Sequence, residues 1–507
     1  MNTTGIDTSS KLTPVEASKY YAEYLEIPND VPVKFLYRKA IAEIRKISSK
    51  DTLYDPRLCY KIDLLGVIAD KGGTGYIDAQ TGEVLKTLKR SDNTSATGTF
   101  YTLYSATKSA GTQHYNSSYN LCDSSRTAHI HTWNLNNNLY TSYSSNEVEF
   151  TDANNIWTVA EHSANNDQMA LDIHWAFQNI FDYFLNEHGL HSFDGNNHAI
   201  DAFVHAVFEN NSKDNAAYVA FVNGDQPLFF GDGQTTFKPL AALDAVAHEF
   251  THGITHNYTG LVRDFDVQSG INEGFSDIWA AVVEAKVAPE KSFWKIGDEI
   301  IKVSGQDCLR NIQNPESTTS NTKIADTYSD NVYTTGNFYA KSGVMSHWFY
   351  LLANGGSGTN HNNVNYTVYG LGLDEAARVA FEGQTGHFAS VTSYLGARTA
   401  MVDAANTLYG DNSFQSIQVA NAWYAVGVGT NPGQVTLTGS DLVCSSGSTF
   451  TAINPPSGST ISWGVTPNLI EVYSGGSSAT PLIKAKDSGS GTICVNFTSN
   501  DTPHKVL

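Results

Sequence analysis

Two histidines four residues apart enclose a glutamate in the run His248-Glu249-Phe250-Thr251-His252. On a helix, residues i and i+4 stack on one face. Two imidazoles so placed can close on one tetrahedral metal, with Glu249 beside the coordination position that a water takes. A catalytic site of this kind needs a third protein ligand from elsewhere. Asn272-Glu273-Gly274-Phe275-Ser276-Asp277 follows after a short connection. If it opens a second helix packed across the first, Glu273 reaches the metal. Asp277 then lies one turn further on and accepts a hydrogen bond from the outer nitrogen of a ligating histidine. The first helix also has a plain packing explanation, in which Leu243, Val246, Ala247, Phe250 and Ile254 form an apolar stripe and the histidines face water. The NExxSD segment at short range weighs against it.

The chain around these residues has 507 residues, 41% hydrophobic and 16% charged, the composition of a globular protein of several domains. Its formal net charge of −20 argues against nucleic acid or an anionic membrane as partner. No run of about twenty apolar residues is present to span a bilayer. The opening MNTTGIDTSSKLTP lacks the basic and apolar regions of a signal peptide, and the expectation is a secreted protein whose leader has been removed. The five cysteines, Cys59, Cys122, Cys308, Cys444 and Cys494, are odd in number and form no CxxC pair.

Along the chain, residues 15–25 and 33–47 have helical patterns. A strand over 58–67, a Gly-rich turn and the run YIDAQTGEVL at 76–85 complete a small α+β module. Residues 88–97, LKRSDNTSAT, read as an exposed, cleavable linker. From 99 to 150, β-branched and aromatic runs between Asn/Ser/Gly turns predict antiparallel sheet, with His114, His129 and His131 as ordinary sheet residues. Residues 169–188 are apolar at i, i+3, i+4 and predict a long helix, with a strand at 199–208. Helical patterns recur at 342–353, 374–380, 388–409 and 416–426. Past Asn431 the chain turns Ser/Thr/Gly-rich. There Cys444 and Cys494 bracket Trp463, suggesting an immunoglobulin-like sandwich with a disulfide across its sheets, formed in an oxidising compartment.

HEFTHGIT followed by NEGFSD is close to the two-helix signature of the thermolysin-like (M4-type) zinc metallopeptidases, and the chain resembles that family from about Gly98 to Gly429. The resemblance implies an α+β, multi-domain protein. Residues 1–90 would be a partial PepSY-like pro-region, on the likeness of YIDAQTGEVL. Residues 98–260 would be the β-rich N-terminal catalytic lobe with the HExxH helix, 261–430 the helical C-terminal lobe, and 435–507 the Ig-like β-sandwich. It implies a secreted metalloendopeptidase made as a zymogen, with its own pro-region as inhibitor and a peptide or protein as substrate. His248, His252 and Glu273 would hold Zn2+, Glu249 would be general base to a metal-activated water, and Asp277 and Asn272 would orient the histidines. Asn215 and Ala216 match an Asn-Ala pair on an open strand edge, a natural receptor for extended peptide. Arg310, in Asp307-Cys308-Leu309-Arg310-Asn311, matches an arginine that contacts a substrate carbonyl. Asp244, Glu284 and Asp298 fall on calcium-binding positions. Phe293 and Lys295 replace two further acidic ones, so at most one Ca2+ is expected.

The family supplies two oxyanion donors that this sequence lacks. Arg263 stands in the place of a tyrosine, Tyr339 in that of a histidine, and Thr334 in that of the histidine's aspartate. Either Tyr339 and Arg263 replace those donors, since a phenol and a guanidinium both donate hydrogen bonds. Or the chain is a zinc-binding pseudo-peptidase of weak turnover that acts as a peptide-binding or adhesion protein. The retained ligands and base favour an active, altered peptidase.

Overall fold

A computed structural model describes residues 11–25, 43–45, 57–64, 73–89, 94–115, 117–163, 166–261, 266–433, 436–453, 455, 459–466, 469–499 and 502–506. At the N-terminal end, α1 (Pro14–Tyr24) starts in a capping box between Thr13 and Glu16, which satisfies otherwise orphaned backbone donors. It lays Ala17 and Tyr21 on Leu58, Tyr60, Ile62 and Ile77. The last four belong to an antiparallel sheet of β1 (Glu43–Arg45), β2 (Arg57–Leu64), β3 (Gly73–Asp78) and β4 (Val84–Lys89), in that order. Asp78 Oδ1 accepts the N–H groups of Gln80 at 2.8 Å and Thr81 at 2.9 Å, shaping the turn into β4.

Two sequence expectations fail here. The helix expected over 33–47 gives way at Glu43–Arg45 to a strand, whose main chain pairs with β2, Glu43 opposite Cys59; residues 33–42 and 46–47 lie outside the described residues. The linker expected over 88–97 is also largely strand. Leu88 and Lys89 end β4, and 94–97 open β5 (Thr94–Tyr101), where Thr94 lies opposite His114. Ladder hydrogen bonds and β-branched threonines outweigh polar composition at this point. Of the expected linker only residues 90–93 stay outside the described residues.

The next lobe runs through β6 (Thr107–Tyr115), β7 (Ser118–Asn120), β8 (Cys122–Asp123), β9 (Ile130–Asn134), β10 (Val148–Glu149), β11 (Thr151–Asp152), β12 (Ile156–Trp157), α2 (Gln168–His188), β13 (Ile200–Val204), β14 (Ala216–Tyr218) and β15 (Leu228–Phe230). One sheet has the order β11-β7-β6-β5-β12; the other has the order β10-β9-β13-β15-β14, with β8 on β9. In the second, β14 is an edge strand.

Next come α3 (Leu243–Tyr258) and α4 (Asp266–Val287), then the short pair β16 (Lys295–Ile296) and β17 (Arg310–Asn311). α5 (Gly343–Asn354), α6 (Leu373–Glu382), α7 (Tyr394–Tyr409) and α8 (Phe414–Ala425) complete a helical lobe. Residues 388–393, expected as helix, form the turn ahead of α7, whose N-cap is Ser393.

α2 is the spacer that sets α3 in place. Its Phe177 ring lies 6.0 Å from Phe230 on the sheet and 6.4 Å from Phe250 on α3. Its Phe184 lies 5.6 Å from Phe250 and 5.1 Å from Trp279 on α4. Truncating a phenylalanine packed like Phe250 costs about 3–5 kcal/mol. Gly274 lets α4 lie flush on α5, since a Cβ there would come within 2.5 Å of Met345 Cβ. A buried polar link joins α3 and α4 through Gln384: Trp279 Nε1 donates to Gln384 Oε1 at 2.7 Å, and Gln384 Nε2 donates to Thr255 Oγ1 at 3.0 Å.

Beyond residue 435 the described elements are all strands, around Phe450, Ala452, Trp463, Ile483, Val495 and Phe497. The disulfide expected between Cys444 and Cys494 is absent, and both thiols are free. Cys494 faces Gly464 across its strand pair, 3.5 Å from that carbonyl, while Cys444 sits exposed in a loop. Trp463 is anchored instead through its indole N–H, which donates to Ser478 O at 2.9 Å. Among the described residues no helix is long and apolar enough to cross a membrane.

Candidate active site

α3 and α4 bring His248, His252 and Glu273 together with their ligand atoms within 4.8 Å of one another, all three buried. His248 Nε2 is 3.3 Å from Glu273 Oε2, and His252 Nε2 is 3.7 Å from Glu273 Oε1. Donors sharing one zinc at bond lengths of about 2.0–2.2 Å stand roughly 3.3–3.6 Å apart in tetrahedral geometry. The spacing and the two-imidazole, one-carboxylate donor set therefore fit zinc.

Both rings turn Nε2 toward Glu273; the outer nitrogen of His252 is hydrogen-bonded, and that of His248 makes an ion-pair contact without hydrogen-bond geometry. His252 Nδ1 lies 2.9 Å from Asn272 Oδ1 and 3.1 Å from Ser276 Oγ. His248 Nδ1 lies 3.1 Å from Asp277 Oδ1. Such outer partners fix the tautomer and raise ligand basicity. Ser276 was not singled out in the sequence, although it sits four residues from Asn272 on one helical face, a readable signal.

Arg310 stands behind this layer. It is buried on β17 and forks onto Asp277, Nε to Oδ2 at 2.7 Å and Nη2 to Oδ1 at 2.5 Å. The pairing locks Asp277 against His248. Burial opposes ionisation of Glu273, yet His252, His248 and Arg310 hold its carboxyl down at about 2. Burial also disfavours charge on His248, but Asp277 and Glu273 push it up to about 10.

Glu249 is buried beside the histidines, and its Oε2 accepts the Tyr218 backbone N–H at 2.9 Å. That bond comes from the outer side of the edge strand. Asn215 O and Val219 N point inward to Gly231 N and Pro227 O, so the alternation turns the Ala216 and Tyr218 main chain outward. Asn215 is exposed and Ala216 half-buried. Asp214, just ahead, anchors this edge by accepting the N–H groups of Thr235 at 2.8 Å, Thr236 at 2.9 Å and Phe237 at 3.1 Å. Burial works the other way, but these bonds hold its carboxyl well below the usual range. Neither the Tyr218 contact nor the Asp214 anchor has a signature in residue type, since backbone groups carry both.

Tyr339 lies on the short helix Phe338–Lys341, half-exposed, its ring 5.9 Å from the Arg310 guanidinium. Thr334 is not turned toward it; its hydroxyl donates to Asp330 O at 2.8 Å. Arg263 lies outside the described residues.

The expected calcium positions form a second, looser acidic group. Asp244 accepts from Gly297 N at 2.5 Å and Ala245 N at 2.7 Å. Both Glu284 carboxylate oxygens and Asp298 Oδ1 are buried without a hydrogen-bond partner. Asp244, Glu284 and Asp298 are not among the clusters of described residues whose ligand atoms converge within 4.8 Å. The Lys291 ammonium lies 3.9 Å from Glu284 Oε1 and pairs with Glu299.

A β-rich lobe and a helical lobe that meet across a two-histidine, one-glutamate metal centre define a metallopeptidase architecture. Residues 97–256 match the thermolysin metallopeptidase catalytic domain and residues 264–428 its alpha-helical domain. The chain belongs to the thermolysin (M4) metallopeptidase family. It is 34% identical over 377 residues to bacillolysin of Brevibacillus brevis, covering 73% of this chain and 64% of that one. It is 31% identical over 369 residues to neutral protease B of Bacillus subtilis, covering 70% and 62%. To thermolysin of Alicyclobacillus acidocaldarius it is 30% identical over 393 residues, covering 74% and 67%. The chain thus spans somewhat under two thirds of the first two relatives.

Proposed function

We propose that this chain is a zinc-dependent metalloendopeptidase that hydrolyses peptide bonds. The observation that carries the reading is the meeting of His248, His252 and Glu273 on one side of Glu249 and the open edge of β14 on the other. His248, His252 and Glu273 hold the zinc, with Asp277, Asn272 and Ser276 orienting the two rings. When bound, zinc acidifies water and polarises a carbonyl. The outward main chain of Ala216 and Tyr218, with Asn215, takes an extended peptide as an added strand. Glu249 exchanges its Tyr218 bond for the attacking water, takes its proton and returns that proton to the departing amine nitrogen. Arg310 holds Asp277 in place and turns its remaining face to the substrate. Tyr339, against Arg310, is the candidate second donor to the oxyanion.

Residues 1–90 are read as a PepSY-like pro-region that inhibits the enzyme until cleavage in 90–93, and the strands beyond 435 as an Ig-like sandwich. Secretion goes with this zymogen reading. Asp244, Glu284 and Asp298 provide room for one Ca2+ at most, with Lys291 supplying part of the positive charge.

The test is hydrolysis of casein or a quenched peptide by the matured protein, with and without chelator, beside Glu249→Ala. Activity that chelator and the alanine variant both abolish supports the reading. Equal turnover by wild type and Glu249→Ala rules it out. The second reading, a zinc-binding pseudo-peptidase, is favoured by what the resemblance implies, that Tyr339 and Thr334 take the places of the family's histidine and its aspartate, and by the Thr334 hydroxyl bonding Asp330 O and not Tyr339. Tight peptide binding with no turnover by the zinc-loaded chain would select it.

A further inference from the structure

The sheet that carries β14 at one edge gathers a different set of donors at the other. β8 and β10 both pair with β9. Cys122 lies opposite His131 and Glu149 opposite Trp133. Side chains two apart share a face of a strand, and directly opposed residues share it too. His129, His131, Cys122 and Glu149 therefore collect on one face. The ligand atoms of Cys122, His129 and His131 lie within 4.8 Å of one another. Cys122 Sγ is 3.1 Å from His129 Nε2, and His131 Nε2 is 2.9 Å from Glu149 Oε2. The surroundings fix these groups: the Trp133 ring stacks on His131 at 3.6 Å between centroids, and Asn120 Nδ2 donates to Glu149 Oε2 at 3.3 Å. Cys122 and His131 are buried, while His129 and Glu149 are partly open and leave a way in.

We propose that Cys122, His129, His131 and Glu149 form a second transition-metal site, of zinc-binding character and separate from the cleft. A thiolate, two imidazoles and a carboxylate are borderline donors that select zinc-like ions over calcium or magnesium. At zinc bond lengths of about 2.3 Å to sulfur and 2.0–2.1 Å to nitrogen, sulfur and nitrogen on one ion stand roughly 3.5 Å apart, a few tenths of an ångström beyond the separation already present. Cys122, His129 and His131 already converge; Glu149 touches His131 but stands outside that cluster, and its carboxylate swings in to complete the four-donor shell that marks a structural rather than a catalytic ion. Bound there, the ion ties β8 and β10 to β9 and draws the thiol into a deprotonated, coordinated state. The spacing, Cys122 then His129 and His131, follows no finger pattern, and only strand register brings the donors together.

The cleft donors include no sulfur, so cobalt loading tells the two sites apart. Cobalt-substituted full-length chain should show a thiolate-to-cobalt charge-transfer band in the near ultraviolet, and zinc analysis should find a second equivalent. His252→Ala should keep the band. Cys122→Ser should lose the band and that equivalent, with an unchanged circular dichroism spectrum. His129→Gln, at a half-buried ring, repeats the test without touching the core, and losing the band there also excludes cobalt on the other cysteines. A saturated wild type with no such band overturns the proposal, as does a band that survives either Cys122→Ser or His129→Gln.

Discussion

Two groups of carboxylates gather on and beside the helix pair α3 and α4, and their surroundings treat them in opposite ways. Glu273 and Asp277 are met by two imidazoles and a guanidinium, which hold both carboxyls below their usual range against the pull of burial. Asp244, Glu284 and Asp298 share essentially one ammonium, that of Lys291. There burial first, and mutual repulsion second, raise Glu284 to about 10 and Asp298 to about 7. Burying a carboxylate costs free energy in both places. In the first group the chain supplies the compensating cations, and the carboxylates stand ready as ligands and positioning groups. The second is short of positive charge, and burial pushes its carboxyls toward the protonated form. One group is prepared for chemistry; the other is a stability element that depends on solution conditions.

Breaking the first group should have the larger consequences. Glu249→Ala should lower kcat by about 10²–10⁴-fold while the zinc content stays that of wild type, checked by peptide assay and metal analysis on one sample. A proportional loss of zinc would instead make Glu249 a folding residue. Asp277→Asn keeps the shape but removes the charge shared by His248 and Arg310. It should weaken zinc binding about 10–100-fold in a chelator competition, with the fold retained.

The second group should respond in stability and hardly at all in chemistry. Lys291→Met should cost about 1–3 kcal/mol, less than for a fully buried pair because its side chain is 14% exposed. If one Ca2+ binds there, adding it should raise the melting temperature of the variant more than that of wild type.

The same group should also show itself as a pH slope. Glu284 is held at about 10 in the folded chain against 4.5 for the free side chain, so the native state keeps a proton that the unfolded chain releases. Stability in calcium-free buffer should therefore decline as pH rises from about 4.5 toward 10. Glu284→Gln should flatten that decline. An equal slope in both would mean Glu284 is already charged and compensated.

Local pattern revealed the helices and the metal cluster; pairing between distant strands stayed hidden. His248, Glu249 and His252 are readable because a helical period fixes their face, and NExxSD because a second helix repeats the trick one short loop later. Asp277 was legible as a partner of histidine, and Arg310 from its segment, but the fork between them was not. The failures share a cause. Thr94 to Thr97 look like a linker until β6 pairs with them, Glu43 to Arg45 look helical until β2 does, and Cys122 and His131 look unrelated until register sets them opposite each other. Cys444 and Cys494 suggested a bridge because a tryptophan lies between them, yet Cys494 faces a glycine.

The most direct test of the central claim is a crystal of the full chain grown with zinc, with diffraction recorded on both sides of the zinc absorption edge. The account predicts an anomalous peak bonded to His248 Nε2, His252 Nε2 and a Glu273 oxygen, with Glu249 beside it and outside bonding distance. A fully zinc-loaded crystal with no peak at those three atoms, or with Glu249 rather than Glu273 as the third ligand, would contradict it.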